Sequence, residues 1–163
     1  MRIWIATITE PLPCDGDDVR LHRVGTLARA LVERGHNVLW WASTFDHFTR
    51  AQRFTTDTSV KSGSRLVLKL IRSPGYRSNV SASRLADHAY SAFRFVRLAR
   101  HEDRPDVIFA CLPTLEMAAA SCWIGGRLKV PVVVDVRDLY PDVFVEVFPK
   151  WMRPFVRAGM WPY

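Results

Sequence analysis

VIFACLPTLEMAAASCWIGGRLKVPVVVDV, residues 107–136, is the stretch of sequence that decides the fold. Its first five residues form a short apolar run, and residues 130–136 form a nearly continuous run of valine. Between them, residues 114–126 are rich in alanine and end on the pair Gly125 and Gly126. This pattern predicts a strand, a helix and a second strand, with the strands buried on both faces as in a parallel sheet covered by helices.

The sequence before this unit repeats the same alternation. Gly35 follows a run with helical spacing of apolar residues and is expected to end that helix. The predicted strands are residues 2–8, 37–42 and 65–71, and the predicted helices run from about 18 to 34 and from about 81 to 100. Residues 43–63 are polar without either period and are predicted to be a long surface loop with a substrate role. We therefore expect a doubly wound α/β fold, a mostly parallel Rossmann-like sheet with helices on both faces.

Length and composition narrow the class of protein. The 163 residues suffice for one domain with a sizeable core, which we place at residues 1–148, before a tail at 149–163. The N-terminal apolar stretch is interrupted by Glu10 and two prolines, so it is too short for a secretory signal. No apolar run approaches the roughly 20 residues of a membrane span. These features predict a cytoplasmic protein.

Charge and cysteine usage say more about partners than about fold. The formal charge of +7 favours a polyanionic partner such as anionic lipid or a pyrophosphate substrate. We expect no nucleic-acid partner, because the basic residues are spread along the chain and no recognised module is present. The three cysteines lack metal-ligand spacing, so we expect no metal site and read them as packing residues or bystanders.

In a doubly wound sheet, ligands bind where the carboxyl ends of strands lead into helices. The loop after the first strand holds a single glycine, Gly16, so it lacks the three glycines of a dinucleotide fingerprint. Arg20 and Arg23 are spaced i and i+3 on the predicted helix and could together reach a phosphate or a sugar. A solvated basic helix face explains the same spacing.

The loop after the last strand, DVRDLYPD at residues 135–142, is richer in chemistry. It places Asp135, Arg137 and Asp138 just beyond a buried strand end. A carboxylate here could bind sugar hydroxyls or accept a proton from one. The alternatives are an internal arginine–aspartate pair or a helix cap at Asp142. Among the histidines, His47 follows the second strand, whereas no functional role is assigned to His22, His36 or His101.

The order of these motifs resembles the N-terminal domain of family-4-type glycosyltransferases, whose type B architecture has two Rossmann-like domains. The segment LARALVERGHNV at residues 27–38 is similar to the start of that domain, and residues 135–141 are similar to its D-x-R-D-x-x-P motif. A bacterial branch that extends lipid-linked surface polysaccharides, including amino-fucosyl transferases, shares two further stretches. They are compared here with STFDH at residues 43–47 and with Tyr76, Asn79 and Arg84.

The resemblance implies a division of labour. The N-terminal domain would hold a lipid-linked glycan acceptor, and a C-terminal domain with paired glutamates, absent from these 163 residues, would hold the nucleotide-sugar donor. Transfer would retain the anomeric configuration, with the donor as substrate and with neither cofactor nor obligatory metal. We expect this domain to be inactive alone. By motif position, Arg137 or Asp138 would touch the donor sugar at the reaction centre. The substrate-binding residues would be Gly16, Asp17, Arg20, Arg23, His47, Tyr76, Asn79 and Asp135.

Two other functions fit the same sequence. The chain could be the first half of a UDP-sugar 2-epimerase, which shares the two-domain architecture, or a non-catalytic subunit that docks on a membrane. The tail at residues 149–163 is aromatic and basic, with Trp151 and Phe155 on one side of a predicted helix. Such a segment could lie on an anionic membrane at the inner face of the cell membrane, or it could pack against a protein domain.

Overall fold

The structure is a computed structural model that describes residues 1–16, 18–137, 145 and 148–159. Within these residues the chain forms one sheet with helices on both of its faces. The strands are β1 Arg2–Ala6, β2 Asn37–Ser43, β3 Thr58–Lys61, β4 Leu66–Ile71, β5 Val107–Cys111 and β6 Val132–Asp135. The helices are α1 Arg23–Glu33, α2 Ala82–Leu98, α3 Leu115–Leu128 and α4 Arg153–Gly159, and a 3₁₀ turn, Ala99–His101, extends α2.

The strand order is β3-β4-β2-β1-β5-β6. The pairs formed by β1, β2, β4, β5 and β6 are all parallel, and only β3 pairs antiparallel, with β4 at one edge. The predicted fold class is therefore confirmed. The chain builds outward from β1 to one side and then crosses to β5 on the other, so the topological switch point lies between β1 and β5. Ligand sites of doubly wound sheets lie at this point, outside the carboxyl ends of the strands.

Two apolar layers, one on each face of the sheet, bury the central strands. One face carries Trp4, Trp41 and Phe95, whose rings meet edge to face at centroid distances of 5.1–6.4 Å. The other face carries Ile5 and Trp40, which are fully buried. Because neighbouring residues of one strand belong to opposite layers, β1 and β2 are buried on both sides, as their unbroken apolar runs predict.

The first helix begins later than its sequence pattern predicts. Helix α1 starts at Arg23 rather than near Asp18, and His22, in an extended conformation, precedes it without a side-chain cap. The carboxylate of Glu10 instead accepts the backbone N–H of Val24 at 3.1 Å. The cap thus comes from the preceding loop, a contact that helical periodicity alone does not reveal. The predicted stop is confirmed, because Gly35 follows the helix with φ of +82°.

Three other predicted boundaries also need correction. The first strand ends at Ala6 rather than residue 8. The predicted loop at residues 43–63 contains β3, a short polar edge strand whose pairing with β4 its weak alternation did not indicate. Gly125 and Gly126 do not end α3, which runs to Leu128 and stops at Lys129, with φ of +53°. Packing requires glycine at position 125, because a Cβ there would lie 2.2 Å from Cγ2 of Val132.

Among the residues that the structure describes, no helix combines the length and the apolar character that crossing a bilayer requires.

Candidate functional site

Polar side chains collect at the carboxyl edge of the sheet, next to the switch point. We call the first group the arginine–carboxylate cluster; it consists of Glu10, Arg23, Cys111, Asp135 and Arg137. Glu10 follows β1, Cys111 and Asp135 end β5 and β6, and Arg23 begins α1. Parallel strands bring these ends to one edge, which explains why residues so distant in sequence meet.

Arg137 is the centre of this cluster. Its Nη1 pairs with Oε1 of Glu10, and its Nε donates to Oδ2 of Asp135 at 3.1 Å. Burial alone would lower the pKa of the guanidinium, but hydrogen bonds to Glu10 and Asp135 raise that pKa above its ordinary value. Its side chain remains 23% exposed. Arg137 is therefore a fixed positive charge that a ligand at the switch point can reach.

Asp135 binds two guanidinium groups at once. Nη1 of Arg23 donates to both of its oxygens, at 3.2 and 3.3 Å, and Nε of Arg137 donates to Oδ2. Partial burial alone would raise the pKa of Asp135, but the hydrogen bonds from Arg137 and Arg23 outweigh it and lower that pKa. A carboxylate held ionised in this way orients cations and is a poor proton acceptor. The arginine–aspartate pair that the sequence allowed as an alternative is thus present.

A second group of side chains lies along the same edge, beyond β2, β4 and β5. We call it the histidine–tyrosine cluster; it consists of His47, Tyr76, Arg84, His88 and Glu116. Nδ1 of His47 lies 2.6 Å from the hydroxyl of Tyr76, and the Tyr76 ring meets the His88 ring edge to face at 5.8 Å. Nδ1 of His88 is 3.8 Å from Oε2 of Glu116, and Arg84 lies over the Tyr76 ring.

The charges of the histidine–tyrosine cluster respond to burial. Burial, followed by the positive charge of Arg84, lowers the pKa of His47, which favours its neutral imidazole. Burial also raises the pKa of Tyr76, so its hydroxyl keeps its proton. Burial alone would raise the pKa of Glu116, but the interaction with His88, followed by that with its own backbone N–H, outweighs burial and lowers that pKa. The cluster therefore offers neutral hydrogen-bonding groups beside an ionised carboxylate.

Arg53 fixes the two loops that carry these groups. It is almost fully buried and makes a double contact with Asp15 in the loop after β1, including Nη2 to Oδ2 at 2.7 Å. It also donates to the carbonyl of Phe45 at 3.0 Å, in the loop after β2. One largely buried cation therefore links the loop after β1 to the loop after β2.

The structure brings together only part of the predicted site. Arg23, Asp135 and Arg137 meet in one cluster, and His47 and Tyr76 meet in the other. Arg20 is exposed and precedes α1, so the predicted pairing of Arg20 with Arg23 on one helix face is wrong.

Of the remaining predicted residues, two are exposed and two lie outside the described part. Gly16 is exposed at φ of +139°, in the loop after β1. Asn79 is exposed, and its carbonyl accepts a hydrogen bond from Arg84 at 2.8 Å. Asp17 and Asp138 lie outside the described residues, so their predicted roles stay predictions.

Sequence reasoning missed Glu10, His88 and Glu116 as site residues. Glu10 and Glu116 follow predicted strand ends, so their positions in loops at the carboxyl edge were the available signal. His88 had no such signal, because only the fold turns this position of α2 toward Glu116. Across the described positions, no three histidine, cysteine, aspartate or glutamate side chains converge in a way that could hold a metal ion.

Comparison with known proteins adds the chemistry that geometry alone leaves open. A search of curated proteins found no match to this chain. The model of the family described as Glycosyltransferase Family 4 matches residues 22–162, which include every member of the arginine–carboxylate cluster except Glu10. A match over this much of the chain, on a sheet with the expected topology, shows the family. The chain therefore belongs to glycosyltransferase family 4.

Proposed function

We propose that this chain is the acceptor-side domain of a type B, retaining glycosyltransferase. It would take part in moving a sugar from a nucleotide-diphosphate donor to a lipid-linked glycan in surface-polysaccharide assembly. The observation that carries this proposal is Arg137, a partly buried but reachable cation at the switch point between β1 and β5. A sugar diphosphate is anionic and gains negative charge on its leaving group as the glycosidic bond breaks, which a fixed cation stabilises.

The partners of Arg137 support this role. Glu10 and Asp135 hold two different nitrogens of the guanidinium, so its orientation is set before a substrate arrives. Preorganised charge of this kind costs no rearrangement during the reaction. Arg23, with its side chain 64% exposed, adds a second cation in contact with Asp135. Asp138, outside the described residues, is proposed to act beside Arg137, as its place in the motif implies.

The proposed division of labour assigns the acceptor to this domain and most of the nucleotide to a second domain. On this proposal residues 1–163 bind poorly to nucleotide sugar and do not transfer sugar by themselves. Gly16, Asp17 and Arg20 would line the cleft from the loop after β1. His47, Tyr76 and Asn79 would face the acceptor.

A transfer assay tests the proposal. The protein is expressed from its natural gene, with any sequence that follows Tyr163, and is incubated with radiolabelled nucleotide sugars and a lipid extract of the source cells. Label should enter the organic phase, and Arg137→Gln should lower kcat on the order of 100-fold, the usual effect of losing one charge-stabilising donor. Arg97→Gln, an exposed arginine on α2, is the matched control.

The same assay separates the other functions. Conversion of a UDP-sugar into its 2-epimer without lipid would show an epimerase and contradict the transferase. Failure to move any label, with the protein folded and a complete panel of donors, would also contradict it. Transfer by residues 1–163 alone would contradict the proposed dependence on a second domain.

We also propose that the tail places the acceptor cleft at an anionic membrane. Trp151 and Phe155 are 73% and 76% exposed, beside Lys150 and within a chain of net charge +7. Aromatic side chains next to cations favour the interface of an anionic bilayer, where each Lys or Arg contributes about 1 kcal/mol.

Vesicle sedimentation tests this placement. The chain should bind vesicles that contain phosphatidylglycerol, bind phosphatidylcholine vesicles less, and dissociate as salt is raised. Replacing both Trp151 and Phe155 by serine should abolish binding. Phe93→Ser, which alters an exposed aromatic residue on α2 and outside the tail, should not. Equal binding by the double variant would contradict the proposal.

A further inference from the structure

The histidine–tyrosine cluster contains a buried polar atom without a partner in the described structure. His88 is only 4% exposed, and its Nε2 makes no hydrogen bond to any described residue. A buried polar group left unpaired costs about 1–3 kcal/mol, so such groups usually have a partner, whether water or ligand. The ring of His88 packs against Tyr76, whose hydroxyl reaches His47. This chain of contacts runs from the buried histidine to a partly exposed one.

Two arginines, Arg50 and Arg84, lie near the pair formed by His47 and Tyr76, and we call these two arginines the bracket. Arg50 and Arg84 both act electrostatically on each member of that pair. Within the described residues, neither guanidinium forms an ion pair with a carboxylate; they donate instead to the carbonyls of Arg77 and Asn79. By contrast, Arg23, Arg53 and Arg137 are paired with carboxylates on this edge. The bracket therefore carries two positive charges without a direct ion pair among the described residues, with the Glu116 carboxylate acting on Arg84 from a distance.

An exposed aromatic ring lies beside this bracket. Phe48 is 55% exposed, and its ring stands edge to face with His47 at 5.2 Å and with His22 at 5.5 Å. These contacts hold the ring at a fixed angle and leave apolar surface uncovered. Such a surface suits the C–H face of a pyranose, in the way that aromatic side chains combine an apolar body with polar neighbours.

The loop that carries Phe48 is built to hold it. The carboxylate of Asp46 accepts the N–H of Phe48 and the hydroxyl of Thr49, each at 2.8 Å. The N–H of Arg50 donates to the carbonyl of Asp46 at 2.8 Å, and Arg50 has φ of +57°, a left-handed conformation that costs free energy for a side chain of this kind. Strain that the surroundings hold in place is typical of preorganised binding loops.

We propose that this edge binds an anionic group, a carboxylate or a phosphate, carried by the acceptor sugar. Arg50 and Arg84 pair with the anion, Phe48 packs on the sugar ring, and a hydroxyl of the sugar, directly or through water, reaches the His88–Tyr76 chain. The inference rests on the proposed function, because it takes the bound sugar to be the acceptor. It narrows the acceptor from any glycan to an acidic one.

Titration of the 163-residue chain with small sugars tests the inference. The probes are methyl β-glucuronide, glucose 6-phosphate, the neutral methyl β-glucoside and inorganic phosphate, each followed by calorimetry and by the ¹⁵N shifts of the histidine rings. An anionic sugar should bind at least tenfold more tightly than the neutral one and should move the His47 and His88 signals. The ratio of the dissociation constants of the glucuronide and the sugar phosphate identifies the kind of anion that the site prefers. Inorganic phosphate should bind more weakly than the sugar phosphate because it does not contact Phe48.

Matched variants decide which residues are responsible. Arg84→Gln and Arg50→Asn should each weaken binding of the preferred anionic sugar about tenfold, because each removes one charge-assisted hydrogen bond. Asparagine is chosen at position 50 because it tolerates the left-handed conformation. Neither variant should change binding of the neutral glucoside. Arg97→Gln removes the same charge about 20 Å further along α2, from the rise of 1.5 Å per residue, and should have no effect.

The outcomes separate this inference from the transferase itself. Equal binding of neutral and anionic sugars, no binding of any probe, or equal effects of Arg84→Gln and Arg97→Gln would each overturn the inference. If label transfer to lipid occurs and Arg84→Gln leaves the acceptor KM unchanged, the acidic subsite is wrong and the transferase stands. If the anionic sugars bind as expected but no donor is ever used, the subsite stands and the transferase is wrong.

Discussion

Arg137 and Glu10 form an ion pair at the carboxyl edge of the sheet, although 127 residues separate them in the chain. The side chain of Glu10 is only 3% exposed, and its second carboxylate oxygen accepts the N–H of Val24 at the start of α1. One buried carboxylate therefore joins the loop after β1, the first helix and the loop after β6. This contact links the stability of the domain to the geometry of its candidate site.

Arg137→Gln should destabilise the domain as well as slow the reaction. The substitution leaves the buried Glu10 carboxylate without its cation, and breaking a buried pair in this way costs about 3 kcal/mol. Urea unfolding followed by tryptophan fluorescence measures the loss. Arg97→Gln, whose side chain is exposed, should change the free energy of unfolding by less than about 0.5 kcal/mol. Equal stability of the two variants would show that the pair contributes nothing to folding.

The two adjacent glycines of α3 should respond in opposite ways to alanine. A Cβ at Gly125 would lie 2.2 Å from Val132 and 3.0 Å from the carbonyl of Val130, so Gly125→Ala should cost about 1–3 kcal/mol through overpacking. A Cβ at Gly126 meets nothing within 4 Å, so Gly126→Ala should stabilise the helix by about 0.5–1 kcal/mol. Thermal unfolding of both variants checks that the two changes in stability have opposite signs.

A double variant identifies the cause of the first effect. Adding Val132→Ala removes the methyl group that the new Cβ would strike, so it should recover part of the loss in Gly125→Ala. If the loss is unchanged, the contact with Val132 is not its source. A fall in stability for Gly126→Ala would contradict the open space beside that residue.

The repeating strand and helix pattern was enough to predict the fold class, because apolar runs such as β1 and β5 can be buried only inside a covered parallel sheet. Boundaries failed where a distant group decides them. Helix α1 begins at Arg23 because Glu10 caps Val24, and Gly125 lies inside α3 because β6 packs against it. Both contacts join the helix to residues outside it, so helical periodicity does not reveal them.

The candidate site shows the same limit. Arg137 and Asp135 were found because they follow a valine run that must end at the carboxyl edge. His47 follows a predicted strand end, but a role for it and for Tyr76 came only from a resemblance, and nothing local indicated that 2.6 Å would separate them. Glu10 was overlooked because a single carboxylate after a strand is common on protein surfaces, and only the fold buries it against Arg137.

Cys111 should be far less reactive than Cys122 in the native protein. Burial raises the pKa of the Cys111 thiol to about 11, and the residue is only 2% exposed, so both its thiolate fraction and its access to reagents are low. Cys122 is exposed on α3. Iodoacetamide at neutral pH, followed by peptide mass spectrometry, should label Cys122 first and Cys111 only after unfolding in urea. Equal native labelling would contradict the burial of Cys111 beside Arg137.

Mild acid should weaken folding through His47, and His47→Gln should remove that contribution. Burial and the charge of Arg84 lower the pKa of His47 in the folded chain below its ordinary value of 6.5, so the unfolded chain binds the proton more readily. Stability from this residue is therefore fully present above about pH 6.5 and is lost as the pH falls through the lower, folded-state pKa. Glutamine keeps a neutral hydrogen-bonding group near Tyr76 but does not titrate.

The measurement is the free energy of unfolding in urea between about pH 5 and 7.5 for both proteins. The groups acting on His47 are Arg84, His88, Asp46 and Arg50; of these only Asp46 raises its pKa, and all four are retained in the variant. Subtracting one curve from the other therefore isolates His47. The difference should shrink or reverse in sign toward low pH, because only the wild-type chain has to bury a protonated imidazole. A difference that grows toward low pH would mean that His47 gains a proton on folding, which would contradict a pKa lowered by burial and by the charge of Arg84.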